Sequence, residues 1–122
     1  MLFTQKSEVD IHEMSPLALA FVGDAVLELL VRARLVGTTR LQPNRLHTVA
    51  THYVSAHAQN LELDIIEPML TDAEAAVLRR GKNASKATVA KHATVQEYRA
   101  STGFECLLGW LYLQGRNDRI EE

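Results

Sequence analysis

Residues 15–35 read SPLALAFVGDAVLELLVRARL. Ser15 followed by Pro16 is a helix start signal: a hydroxyl able to cap free backbone N–H groups, then a proline at the first helical position, where its missing N–H leaves no gap. Apolar residues recur from there to Leu35, and Gly37 is expected to end the element. A second helix is predicted from Gln42-Pro43 to about Asn60, because Leu46, Val49, Tyr53, Val54 and Ala58 keep helical spacing. Leu61 to Leu70 carries Glu62, Asp64 and Glu67 and breaks at Pro68, which predicts a short helix or turn. Thr71-Asp72-Ala73-Glu74 reads as a capping box, opening a helix that should stop at Gly81. A polar connection, Lys82-Asn83-Ala84-Ser85-Lys86, leads to a helix from about Val89 to Arg99. Thr102-Gly103-Phe104-Glu105 is a second capping-box match, before the apolar run CLLGWLYL. No period-two alternation or hairpin turn is present, so one all-α domain over residues 1–122 is expected.

Composition narrows the class further. At 122 residues the chain is 47% hydrophobic and 23% charged, which fits a globular domain and excludes a disordered or collagen-like one. The formal net charge is -2, so any polyanion must be met by a local patch. Cys106 is the single cysteine and points to a reducing compartment. The N-terminus carries Glu8, Asp10 and Glu13 and no apolar core, so no signal peptide is read. The most apolar stretch, Leu17 to Val31, is interrupted by Asp24 and Glu28, which argues against a membrane span. A cytoplasmic protein is expected.

Two acids stand out against this background. Asp24 lies mid-helix on a face with Leu17, Ala20, Phe21, Leu27 and Val31, and its neighbour four residues on is Glu28, a like charge. An ionised carboxylate on an apolar face is costly unless it is paired or coordinates a metal. A distant arginine, or a place at the rim of the face, would also account for it. Glu28 is explained by Arg32, four residues later in the favourable order. Gly23 beside Asp24 costs about 1 kcal/mol relative to alanine within a helix, which suggests that another chain segment passes close by. Gly109 lies one turn after Glu105 on the same face, so a close crossing of the two helices would bring Asp24 and Glu105 to one ion. Two carboxylates suit a hard cation such as Mg²⁺. For Glu105 the capping box with Thr102 is an equally complete explanation.

Other chemistries lack support. His12, His47, His52, His57 and His92 show no ligand spacing, and the phosphate-cradling glycine loops are absent. Cys106 has no evident base partner and reads as a small core residue. Charge, however, is segregated. Residues 79–92, RRGKNASKATVAKH, include Arg79, Arg80, Lys82, Lys86 and Lys91, with no acid from Ala75 to Gln96. A basic helix end followed by a loop containing Asn83 suits phosphate contacts, and with no aromatic residue interleaved it favours a duplex backbone over stacked single strands. A solvated surface loop would have the same composition.

Together these motifs resemble the ribonuclease III family. FVGDAVLELLVR at 21–32 is similar to the signature helix of its catalytic domain, and TGFECLLGWLYL at 102–113 to its second acidic motif. QPNRLH at 42–47, YVSAHAQ at 53–59, RRGKNA at 79–84 and YRASTGFECLLGWLYL at 98–113 resemble its short bacterial branch, Mini-ribonuclease III, which lacks the double-stranded-RNA-binding domain. The resemblance implies an all-helical, dimeric endonuclease domain that cuts double-stranded RNA with Mg²⁺ and, in the short branch, matures the 23S ribosomal RNA precursor. By motif match, Asp24 and Glu105 fall on the catalytic, metal-binding acids. Phosphate contacts are expected from Arg79, Arg80, Lys82, Asn83 and Lys86, and a dimer interface around Phe21 to Leu30. Full-length members carry further acids where this chain has Leu17, Ala20 and Thr102, which leaves fewer metal ligands here. A non-catalytic RNA-binding assembly factor on the same fold, or a helical adaptor, is the alternative to an enzyme.

Overall fold

In a computed structural model of the chain, the described residues are 9–40, 42–84, 95–116 and 119–120. The long helix α1 (Pro16–Thr38) begins as expected, with Ser15 Oγ accepting from the Ala18 N–H at 3.1 Å. Its buried stripe is Leu19, Ala20, Gly23 and Leu27, while Phe21, Leu29 and Val36 stay exposed. Thus α1 is apolar on more of its circumference than the core covers.

Between Gln42 and Asn60 the chain forms two helices rather than one, α2 (Pro43–Tyr53) and α3 (Ala56–Ile66). Ser55 makes the break: its Oγ accepts from the Ala58 N–H at 3.2 Å and donates to the His52 carbonyl at 2.9 Å. A local hydroxyl thereby competes with the helical ladder and starts a new helix. A one-turn 3-10 helix, Glu67–Met69, follows α3 around Pro68.

Helix α4 (Asp72–Ala84) opens on the expected capping box, with the Thr71 N–H donating to Glu74 Oε1 at 2.9 Å and the Glu74 N–H to Thr71 Oγ1 at 3.2 Å. Glu74 is fully buried, and Arg119 grips it in bidentate fashion, Nε to Oε2 and Nη2 to Oε1, each at 2.9 Å. Arg119 and the cap hold its carboxyl near 2, well below the usual range, against the desolvation that would raise it. Gly81 does not end α4, contrary to expectation. It lies one turn inside the helix, where a Cβ would come within 2.8 Å of the Gly103 Cα and 2.7 Å of the Cys106 Cβ. The glycine is there for a close approach, and the expected connection begins later.

Helix α5 (Val95–Leu113) is the central helix, packed against α1, α3 and α4. It runs unbroken through Thr102, so the second capping box does not form. Thr102 is buried mid-helix and its Oγ1 donates back to the Tyr98 carbonyl at 3.1 Å. No strand occurs among the described residues, and the architecture is an all-α bundle around α5. The core divides into Leu19, Ala20, Val77, Cys106, Leu107 and Leu111 on one side, and Leu27, Leu63, Leu78, Ala100, Phe104 and Leu108 on the other.

The tightest helix contact is between α1 and α5. A Cβ on Gly23 would overlap the Glu105 backbone carbonyl, and one on Gly109 would overlap that of Leu19. Neither obstacle is a flexible side-chain end. Gly23→Ala and Gly109→Ala are therefore expected to destabilise the fold by about 3 kcal/mol or more. Gly37→Ala, whose Cβ meets nothing within 4 Å on α1, should be neutral to stabilising by up to about 1 kcal/mol. Urea denaturation of the three variants checks the contrast.

Candidate active site

The site follows from that crossing. Gly23 lets α1 lie against the Glu105 backbone, and Asp24 is the next residue along α1. The two carboxyl groups, from helices far apart in sequence, come within hydrogen-bonding reach of each other. Asp24 is exposed and Glu105 half-buried, so the pair opens to solvent at one side and to the core at the other.

Burial, followed by the charge of Asp24, pushes the Glu105 carboxyl up to about 8. Glu28 adds a smaller repulsion from one turn further along α1, although its own carboxylate is engaged by Arg32 Nε at 3.1 Å. One interaction works in the opposite direction. Gln59, on α3 and only 2% exposed, donates its Nε2 to Glu105 Oε2 at 3.4 Å and to the Val54 carbonyl at 2.9 Å. The arrangement concentrates negative charge and supplies one neutral donor to it. At neutral pH it holds a proton or attracts a cation.

The capping-box account of Glu105 does not survive, since Thr102 and Glu105 lie within one continuous helix. Cys106 is buried core, as expected: its Sγ faces the Val77 carbonyl at 3.7 Å and burial pushes the thiol up to about 11. The described apolar cavity, about 330 Å³ and lined by Leu27, Leu30, Ile65, Leu107 and Leu111 among others, includes neither Asp24 nor Glu105. The carboxylate pair instead reaches solvent through the exposed Asp24.

The expected phosphate contacts gather at the end of α4. Arg79 and Arg80 are exposed. Lys82 Nζ is 3.9 Å from Glu67 Oε1, and Asn83 is exposed with its Oδ1 accepting from Arg99 Nη2 at 3.1 Å. Lys86 lies outside the described residues. Helix α5 is the common spine: Gly103 and Cys106 meet Gly81 of α4, while Glu105 and Gly109 meet α1.

Two residues were missed by reasoning from spacing. Gln59 lies in YVSAHAQ and Arg99 in YRASTGFE, motifs that were quoted for resemblance without a role for either side chain. Arg99 Nε donates to the Lys82 carbonyl at 3.1 Å, satisfying a free end group of α4 and orienting Asn83.

The chain is similar to known proteins in sequence and in fold. The family described as Ribonuclease III domain matches residues 17–116. A Mini-ribonuclease 3 of Enterococcus faecalis is 45% identical over 115 residues, covering 93% of this chain and 87% of the relative. One of Symbiobacterium thermophilum is 46% identical over 109 residues, covering 89% and 84%. A crystal structure of a Fusobacterium nucleatum protein superposes with a TM-score of 0.83 at 29% identity, covering 96% of this chain and 91% of that one.

The raised Glu105 has a consequence for stability. Because the folded state holds this proton more tightly than a free glutamate, its stabilising effect is complete below pH 4.5 and is lost as pH rises through about 8. In divalent-free buffer the melting temperature should therefore fall between those limits. Asp24→Asn and Glu105→Gln should each raise it at pH 8, by roughly 3–6 °C. Thermal scans of the three proteins at pH 5 and pH 8, in EDTA, check this.

Proposed function

The chain belongs to the ribonuclease III family, and we propose that it is a divalent-metal-dependent endoribonuclease that hydrolyses phosphodiester bonds in double-stranded RNA. The observation that carries this reading is the convergence of the exposed Asp24 and the half-buried Glu105, with the Glu105 carboxyl raised by burial and by its neighbour.

The donor set fits Mg²⁺. Two carboxylates from α1 and α5 supply hard oxygen ligands, and the excess negative charge that favours a proton on Glu105 favours a cation equally. Among the described residues no group of three or more His, Cys, Asp or Glu is placed to hold a metal. Such a sparse set suits an ion that keeps several waters and shares its shell with phosphate. When bound, Mg²⁺ offsets the charge that builds on the scissile phosphate and on the leaving oxygen.

The protein's own groups position the substrate. Asp24, exposed on α1, and Glu105, anchored in α5 by the helix crossing, would hold the ion at one fixed place where the scissile phosphate can reach it. Arg79, Arg80, Lys82 and Asn83 at the end of α4, with Lys86 beyond it, neutralise and orient the RNA backbone without reading bases. Arg79 and Arg80 can each contact phosphate in bidentate fashion, whereas Lys82 offers a point charge.

The proposal extends to assembly and to substrate. Phe21 is 83% exposed and Leu17 and Leu29 about half exposed along α1, an unpaired apolar face that we assign to a homodimer around Phe21 to Leu30. Two-fold symmetry then presents one site to each strand of a duplex. The resemblance to the short bacterial branch supports the 23S ribosomal RNA precursor as the natural duplex, and the lone cysteine supports the cytoplasm as the compartment. In keeping with this, no helix of the described residues is long and apolar enough to cross a membrane.

The test is incubation of the purified protein with a long duplex RNA, with and without millimolar Mg²⁺. The wild type should cut only with the ion. Asp24→Asn should lose cleavage by about a hundredfold or more while retaining RNA binding. A wild type that binds duplex RNA and never cuts it would make the protein a non-catalytic binding factor. In the same preparations, Phe21→Ser should shift the molecular mass measured by light scattering from dimer to monomer.

A further inference from the structure

Gln59 presents an unsolved polar balance. It is 2% exposed, and its Oε1 is the one buried side-chain nitrogen or oxygen without a hydrogen-bond partner among the described residues. Buried polar atoms are nearly always satisfied, and an orphan calls for an explanation, most often a water or ion. The amide cannot relieve the deficit by turning over. Its Nε2 faces the Val54 carbonyl at 2.9 Å and Glu105 Oε2 at 3.4 Å, and a flip would set the amide oxygen against the Val54 carbonyl oxygen, which can only accept. The unpaired oxygen is therefore held in place, on the same amide group whose nitrogen touches Glu105.

We propose that Gln59 is a positioning residue for the Asp24–Glu105 centre: its Nε2 orients the Glu105 carboxylate and its Oε1 accepts a hydrogen bond from a water that arrives with the divalent cation. The inference rests on the metal-dependent reading given above and deepens it. A cation held by only two side chains keeps most of its waters, and those waters need acceptors to fix them. Groups that orient ligands and hydration waters from outside the coordination sphere usually change metal affinity by about 10–100-fold when removed. Gln59 has the donor and the acceptor needed for both tasks, and it is the neutral hydrogen-bond partner of Glu105 among the described residues.

Manganese titration of the RNA-free protein, followed by the electron paramagnetic resonance of free Mn²⁺, provides the test. Gln59→Met, close in shape and apolar, is expected to weaken Mn²⁺ binding by about 10–100-fold. Asp24→Asn should abolish it. Ser55→Ala removes the cap of the same helix without touching Glu105, and should leave Mn²⁺ affinity within about twofold. In cleavage assays the Gln59→Met defect should lie in kcat, with little change in KM for RNA, and should recover as Mg²⁺ is raised. Equal losses in Gln59→Met and Ser55→Ala, or no loss in Gln59→Met while Asp24→Asn abolishes binding, would overturn the role of Gln59 and leave the nuclease reading intact. Unchanged Mn²⁺ binding in Asp24→Asn would overturn both. Should Gln59→Met fail to fold, the wild type suffices. Mg²⁺ should shift the side-chain amide resonances of Gln59, and shifts at the Glu105 backbone without any at that amide would refute the proposal.

Discussion

Everything distinctive about this fold depends on how closely two helices can approach. Gly23 and Gly109 remove the side chains that would hold α1 and α5 apart, and each lets a backbone carbonyl of the facing helix occupy the space. That contact gives up the packing of two ordinary side chains and places glycine mid-helix twice, a cost of about 1 kcal/mol each relative to alanine. Its return is geometrical. The residue after Gly23 and the residue whose carbonyl meets Gly23 are both acids, so the same contact that joins the helices sets Asp24 against Glu105.

A second glycine crossing, Gly81 against Gly103, repeats the device between α4 and α5. It draws the basic end of α4 onto the helix that carries Glu105. Helix α5 is thus the common partner of two close approaches, one to α1 and one to α4. Stability is supplied elsewhere. The ion pair of buried Glu74 with half-buried Arg119 is bidentate and reinforced by a cap, and keeps its carboxylate ionised. Asp24 and Glu105 have no such cation among the described residues. One small protein thus holds both a buried acid matched by an arginine, with its carboxyl lowered, and a half-buried acid set beside another acid, with its carboxyl raised.

Much of this was legible in the sequence where a local rule had no competitor. Ser15-Pro16 and Thr71 with Glu74 form the caps they spell, and the two glycine–carboxylate neighbourhoods foretold the helix crossing. Elsewhere one pattern had two physical meanings. A threonine three residues before a glutamate is a capping box at a helix start, but it is also simply one helical turn, and burial of Thr102 within α5 selects the latter. Gly81 reads equally as a stop or as a close approach, and only its neighbour on α5 distinguishes them. Ser55 was hidden within a run that kept helical spacing on both sides. Gln59 and Arg99 act on partners distant in the chain, Glu105 and the end of α4, and no local spacing encodes such a meeting.

What decides the role of the Asp24–Glu105 pair is where a divalent cation binds. A crystal structure of the protein grown with Mn²⁺, with diffraction recorded at the manganese absorption edge, measures this directly. The expected result is one anomalous peak within bonding distance of a carboxylate oxygen of Asp24 and one of Glu105 in the same protomer. A peak touching only one of them, or manganese bound elsewhere with this pair left bare, would contradict it.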